Sequence, residues 1–415
     1  MAKRTFALSL TALVLAVLVV IFLLLSRNRF YNNQFNKGKA FIEQQQYNKA
    51  ADAFKKATQW KKKSAGAWLG LAQSRYFLKQ YDDVLEPVSR AIGLDSLISE
   101  AYLYRGMICA RKNMHPEAID DYNTALRLDS LFAQAYYQRG LSRAGLGEFR
   151  ASVADYKKAM ELDKDNIEAY LKSIEARSAM EDFKGALGDY DKLLEVDPGN
   201  YEALFNRGYL KVTLDDTEGA LSDLNKAISI RSDDPELFLQ RGVALAKKGD
   251  YDAAVRDFTL CIEKKHSLSK VLYNRALAYL HMQKLKEASN DLQQLSKIEP
   301  DNPNVYYTLG VITSIKKDYK GSLAFYDKAI QLNPSFADAY FNRGVSLGNL
   351  DLHRAAIIYY DKAIHLRKDF AEAYYSRAVS KIRTQSSATE GCIDLKKALE
   401  LGYSQAQELI VIHCN

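Results

Sequence analysis

Two periods run through this chain. Within short stretches apolar residues recur three and four positions apart, the spacing of a helix with one apolar face. Over longer distances the whole pattern returns every 34 residues from Tyr31 onward. In the block beginning at Ala337, Tyr340, Val345 and Leu347 mark one amphipathic helix; Ala356, Tyr360 and Ala363 mark a second. Polar material such as Asn349-Leu350-Asp351 separates them. Asp197-Pro198, Glu299-Pro300 and Asn333-Pro334 close their blocks, because proline lacks an amide donor and clashes with the preceding turn. A period of this length describes helical hairpins stacked side by side, each shielding its neighbour's apolar face. Such a stack grows in one dimension, so its 415 residues need no single large core.

Counted from the start of each block, position 8 is small: Gly38, Ala72, Gly106, Gly140, Gly208, Gly242, Ala276, Gly310, Gly344 and Ala378. Position 4 holds a ring in Trp68, Tyr102, Tyr136, Tyr170, Phe238, Tyr306, Tyr340 and Tyr374; position 24 does so in Phe54, Tyr122, Tyr156, Tyr190, Phe258, Tyr326 and Tyr360. Alanine recurs at position 20, as in Ala50, Ala118, Ala186, Ala220, Ala254, Ala288 and Ala356. This pattern resembles the tetratricopeptide repeat family. The resemblance implies an all-α fold: an α-solenoid, wound as a right-handed superhelix of helical hairpins, with a concave ligand groove. Eleven tandem repeats would fill residues 31–404, and the apolar segment 405–415 would form a capping helix over the end of the stack. Three blocks depart from the pattern. Pro87 lies in a second helix, where a kink is expected. Ile174 takes the small position, which should spread its two helices slightly. The last block carries one extra residue before Leu395 and Ala398 resume the spacing.

Ahead of the repeats, Phe6–Leu25 contains no charge, proline or glycine. At about 1.5 Å per residue it spans roughly 30 Å, the thickness of bilayer hydrocarbon. With Lys3 and Arg4 before it, it reads as a signal peptide or an uncleaved anchor. The anchor fits better, because the run exceeds a signal h-region and Leu-Leu-Leu-Ser-Arg-Asn-Arg offers no pair of small residues for cleavage. Residues 1–26 are therefore expected to form a single signal-anchor transmembrane helix. Its charged N-terminal tail resists translocation, which places the repeats on the extracytoplasmic side, periplasmic or at the cell surface; Arg27, Arg29, Lys37 and Lys39 pull the other way.

The net charge of +7 is local. Between Ser26 and Ser64 ten basic residues stand against Glu43 and Asp52, which leaves the remaining repeats net acidic. The excess points to anionic headgroups beside the membrane segment and is no argument for nucleic acid, which is not expected as a partner.

Position 7 is arginine in Arg105, Arg139, Arg207, Arg241, Arg275, Arg343 and Arg377, and position 23 is aspartate in Asp121, Asp155, Asp189, Asp223, Asp257 and Asp291, with Asp394 after the insertion. The two vary together: the block from Pro303 has neither, carrying Leu309 and Phe325. An Arg–Asp bridge between the two helices of each repeat is expected, a charge-assisted pair that fixes hairpin geometry. Ser173 and Tyr359 are the two breaks in the pairing.

The resemblance places ligands on the first helix of each repeat, so its positions 5 and 6 become groove candidates. Rings at position 5 (Tyr137, Phe205, Tyr273, Phe341, Tyr375) suit side chains of an extended peptide, and carboxamides at position 6 (Gln138, Asn206, Gln240, Asn274, Asn342) suit its backbone. The competing role for the rings is packing on the neighbouring repeat. The family's clamp for a terminal carboxylate needs Lys at 5 and Asn at 9; position 9 here is mostly apolar, as in Met107, Leu141 and Val243.

Cys109 and Cys261 fall on packing positions, whereas Cys392 and Cys414 would staple the capping segment if it folds back, as an oxidising compartment permits. No HExxH, phosphate-binding glycine loop or G-x-S-x-G occurs, so no catalytic residue, metal or cofactor is expected and the chain reads as a non-enzyme. The expected function is a membrane-tethered scaffold that binds a protein or peptide segment and aids assembly of a complex. The alternative is a structural tether that holds anionic lipid or envelope polymer through the basic juxtamembrane repeat.

Overall fold

The computed structural model describes residues 2–384 and 388–414, which form 23 α-helices and no strand. The helices are α1 (Ala2–Glu43), α2 (Tyr47–Trp60), α3 (Ala65–Phe77), α4 (Leu85–Leu94), α5 (Ser99–Arg111), α6 (His115–Leu128), α7 (Ala133–Gly145), α8 (Phe149–Leu162), α9 (Ile167–Ala179), α10 (Phe183–Val196), α11 (Tyr201–Thr213) and α12 (Thr217–Ile230). They continue with α13 (Pro235–Lys248), α14 (Tyr251–Glu263), α15 (Leu268–His281), α16 (Leu285–Ile298), α17 (Pro303–Ile315), α18 (Tyr319–Leu332), α19 (Ala337–Asn349), α20 (His353–Leu366), α21 (Ala371–Arg383), α22 (Ala388–Glu400) and α23 (Ala406–His413). Two compact units, Met1–Ala203 and Leu204–Asn415, divide the chain within α11. In both, hairpin follows hairpin in register with the 34-residue blocks.

Positions 8 and 24 close each hairpin. A Cβ added to Gly106, Gly140, Gly310 or Gly344 would lie 2.6 Å from the ring of Tyr122, Tyr156, Tyr326 or Tyr360, and one on Gly242 would lie 2.7 Å from Phe258. Where alanine takes position 8, position 24 is aliphatic, as in Ala72 with Val88, Ala276 with Leu292 and Ala378 with Leu395, all buried. Where Ile174 takes position 8, the ring of Tyr190 is 8 % exposed, against 0–3 % for Tyr122, Tyr156, Phe258, Tyr326 and Tyr360. The larger aliphatic residue leaves its ring less deeply seated.

The turn inside each hairpin has one recurrent conformation. Position 15 is left-handed in Gln45, Lys79, Asn113, Glu181, Asp215, Gln283, Lys317 and Asp351, with φ of 55–62°, and in Gly147 and Gly249. The next amide returns to a carbonyl in the last turn of the first helix, as from Asp250 to Leu245 at 2.9 Å, satisfying a carbonyl the helix end would orphan. Where position 16 is Asp182, Asp216, Asp250 or Asp318, its carboxylate accepts from the backbone N–H three residues on, capping the second helix.

Pro87 does not kink a helix. A 3₁₀ turn over Tyr81–Asp83 replaces the first turn, and α4 starts at Leu85, so Pro87 falls in the first turn, where its missing donor would be unpaired anyway.

The Arg–Asp bridges form within repeats, as the pattern predicts. Arg207 donates from Nε and Nη2 to the two oxygens of Asp223 at 2.8 and 2.5 Å, and Arg139, Arg241, Arg275 and Arg377 hold Asp155, Asp257, Asp291 and Asp394 with the same fork. Arg105 holds Asp121 likewise. Each Asp is buried. The free Nη1 then reaches back to position 25 of the preceding repeat: Arg139 to Asn123, Arg241 to Asn225, Arg275 to Thr259 and Arg377 to Asp361. Arg343 bonds Asp327 at that position, so the break at Tyr359 leaves its arginine paired across repeats. At the other break Ser173 donates to Asp189 and Arg177, one turn later, supplies the cation. The hydrogen-bonded carboxylate raises the pKa of Arg105, Arg241 and Arg275 above the usual guanidinium value, so these cations are permanent parts of the packing.

At the N-terminus α1 passes without a break from the apolar run into the first repeat's first helix. Its side chains from Val17 to Leu25, with Leu13 and Leu15, are 46–69 % exposed. It is the one helix among the described residues long and apolar enough to cross a membrane. At the other end Tyr403, with Leu409 and Ile410 of α23, packs against Ala378, Leu395 and Ala398, and Cys392 is bonded to Cys414 with their Cα atoms 5.6 Å apart.

Candidate ligand groove

In the first compact unit the first helices of successive repeats lie side by side and leave two adjoining hollows. One, of about 540 Å³, is bounded by Phe35, Ile42, Phe54, Leu69 and Ile98. The other, of about 470 Å³, is bounded by Tyr76, Phe77, Leu103, Tyr104, Met107 and Phe132. Leu69, Gln73 and Glu100 border both, so the hollows adjoin and form a largely apolar channel across α1, α3, α5 and α7. Gly66 and Gly70 stand where other repeats carry larger residues, and both line the first hollow. A side chain on Gly70 would strike the Phe54 ring, 2.5 Å away.

The walls of the second hollow are held edge to face. Tyr76 packs against Phe77, Tyr81 and Tyr104 with ring centroids 5.5–5.8 Å apart. Burial pushes the Tyr104 phenol up to about 12 and raises that of Tyr76, so both stay neutral. Lys39, Glu43 and Glu100 supply the charge at the edges. The channel suits an apolar segment whose polar groups meet Gln73 and the carboxylates.

The ring row chosen from sequence is largely turned inward. Tyr137 is buried, and its hydroxyl donates to Glu168 of the next repeat at 3.0 Å; burial first, then that carboxylate, raises its pKa. Phe341 packs on Tyr360 and Phe370, with centroids 6.0 and 4.8 Å away, and Tyr273 packs on the core around Leu272 and Leu292. Phe205 is half-buried. Tyr375 packs on Tyr403 and also borders a hollow of about 300 Å³ with Ser376, Val379 and Arg383. The amide row is partly engaged: Gln240 donates to Glu236, Asn274 to the Lys270 carbonyl and Asn342 to the Tyr307 hydroxyl. Asn206 is exposed and Gln138 half-buried.

The sequence reading named the first helix of each repeat but did not single out the hollows over the early repeats. The signal was present: glycine at Gly66 and Gly70 beside Leu69, and Tyr76-Phe77 ending the same helix. Among the described residues no group of three or more His, Cys, Asp or Glu lies together as a metal site would need.

Models of the tetratricopeptide repeat match residues 31–64, 133–166, 235–263, 269–302 and 337–370 and, in a second form, 171–235. A further model, described as a TPR repeat, matches 315–351. Together these segments cover more than half of the chain. No curated protein matches it. Similar solved structures include the Cut9–Hcn1 hetero-tetramer of the APC/C, 14 % identical over 93 % of this chain and 96 % of that one, with a TM-score of 0.47. Yeast Tom70 is 16 % identical over 93 % and 95 %, with a TM-score of 0.43. YrrB, described as a TPR protein with an unusual peptide-binding site, is 27 % identical over 48 % and 100 %, with a TM-score of 0.39.

Proposed function

The chain belongs to the tetratricopeptide repeat family, and from that premise we propose that it is a membrane-tethered scaffold holding an apolar protein segment in the channel over α1, α3, α5 and α7. The joined, ring-walled hollows beside Leu69 and Gln73 carry this reading, because stacked helices that already bury one another have no structural need of such an opening. The exposure of Leu13, Leu15 and Val17–Leu25 on α1 supports the tether. Its unbroken helix into the packed first repeat supports retention of the segment, since a signal peptidase site needs an extended, small-residue stretch.

A photoreactive residue at Gln73 should crosslink one discrete partner in native membranes, and a probe at the exposed Glu117 should not. Leu69→Arg, which places a cation where both hollows meet, should abolish that product while leaving the helical melt unchanged. Equal crosslinking from both probes would remove the channel from the function.

The Cys392–Cys414 bond supports placement of the repeats in an oxidising, extracytoplasmic compartment. The other two thiols are unpaired, and burial pushes Cys261 up to about 12. Chain extracted under alkylating, denaturing conditions should therefore label two cysteines, and four after reduction. Four labels without reductant would place the array on the cytoplasmic side.

A further inference from the structure

We propose that the turn joining α2 to α3, Trp60-Lys61-Lys62-Lys63-Ser64, is a headgroup-binding surface that seats the first repeat on an anionic lipid bilayer. The proposal rests on α1 being a membrane anchor and adds what the hairpin beside it does.

Depth comes first. At about 1.5 Å per residue, Arg27 stands about 3 Å and Tyr31 about 9 Å beyond Leu25, the last residue of the apolar run. The headgroup layer is roughly 5–7 Å thick on each side of the hydrocarbon. Residues 27–30 therefore cross that layer as helix, and the turn is fastened to them. Arg27 Nε donates to the Trp60 carbonyl. The rings of Phe30 and Trp60 stack with centroids 5.2 Å apart. The Tyr31 hydroxyl and Ser64 Oγ are 2.7 Å apart, and Lys61 Nζ sits 5.0 Å from the Tyr31 ring centroid. From the other side Trp68 Nε1 donates to the Lys62 carbonyl at 2.9 Å. These contacts hold the turn at the level of Arg27–Tyr31.

Its chemistry matches that level. Trp60 is 41 % and Phe30 52 % exposed, an aromatic pair with no cover from the repeats, beside the end of an apolar helix. Tryptophan favours the interface, where its ring meets acyl chain and its N–H meets headgroup. Lys61, Lys62, Lys63, Arg27 and Arg29 are all exposed, and among the described residues none of them pairs with a carboxylate. Many basic residues farther along lie beside an acid, as Arg139 and Lys211 do. Five unpaired cations beside two exposed rings call for a surface that is anionic outside and apolar beneath, and a phospholipid bilayer is that surface.

The test uses the full chain in vesicles of phosphatidylcholine, with and without phosphatidylglycerol, carrying brominated acyl chains. The protein has two tryptophans, so subtracting the emission of Trp60→Phe isolates Trp60 and leaves the Trp68 bond to the turn intact. Trp60 emission should be quenched more strongly by bromine near the top of the acyl chain than by bromine near its end, and more in the anionic vesicles. Lys61→Gln/Lys62→Gln/Lys63→Gln should lose the preference for anionic lipid, at about fivefold in headgroup affinity per lysine. A chain that floats with the vesicles yet shows unquenched Trp60, equal in charged and neutral bilayers, overturns the proposal and leaves the anchor standing. A chain that does not float overturns the anchor and the proposal with it.

Discussion

Asp257→Ala will destabilise the second compact unit by about 3–5 kcal/mol, the cost of leaving one partner of a buried ion pair alone. Asp257 is buried and receives two donors from Arg241, both at 2.8 Å. Without it the guanidinium keeps the neutral Asn225 side chain as a hydrogen-bond partner. The chain contains its own control. The repeat from Pro303 builds the same hairpin with Leu309 and Phe325 at these positions, and Leu309 is buried there against a cluster that Phe325 joins. Arg241→Leu/Asp257→Phe should therefore recover most of the loss, because a packed apolar pair avoids the desolvation of two ions. An array need not unfold in one step, so the measurement is amide exchange in α13 and α14 beside the urea midpoint. Equal losses for the single and double variants would show that the bridge itself, and not the stranded charge, carries the stability.

The sequence resolved what repeats faithfully and lost what varies. Helix starts at Ser99, Ala133, Ile167, Tyr201, Pro235, Pro303, Ala337 and Ala371 fall on the first position of their blocks, because the small-residue and ring signals there are strong. The within-repeat half of the ion-pair ladder was legible for the same reason. Its cross-repeat half was not: position 25 is Asn123, Asn225, Thr259, Asp327 or Asp361, and no single residue type marks it. The left-handed residue of each turn was equally hidden. Lys79, Gln283 and Lys317 carry no signal for positive φ, and the hydrogen bond closing the helix end imposes it on them. The ring row is largely turned inward for a physical reason. Position 5 faces the position-24 ring of its own hairpin, as Tyr137 does Tyr156 and Tyr307 does Tyr326, and apolar rings so placed bury each other.

The same substitution at two glycines of position 8 should have opposite signs. Gly140→Ala will cost about 1–3 kcal/mol, since the new Cβ would lie 2.6 Å from the fully buried Tyr156 ring and a flat ring between two helices has no alternative rotamer to take. The helix propensity gained from alanine, about 1 kcal/mol, offsets only part of that. At Gly208 the opposing residue is Leu224, with its nearest atom 3.0 Å from the added Cβ. Alanine opposite leucine at these two positions is already built twice in this chain, at Ala276 with Leu292 and Ala378 with Leu395. Gly208→Ala should therefore be neutral or stabilising by up to about 1 kcal/mol. Adding Tyr156→Leu to Gly140→Ala should bring that hairpin to the Ala–Leu pairing and relieve the clash, at the loss of buried ring area. Denaturant midpoints of the four chains decide the matter. Two alanine variants shifted in the same direction would mean that position 24 does not set the spacing of the helices, and the fitted small-residue and ring pair would no longer explain the hairpin.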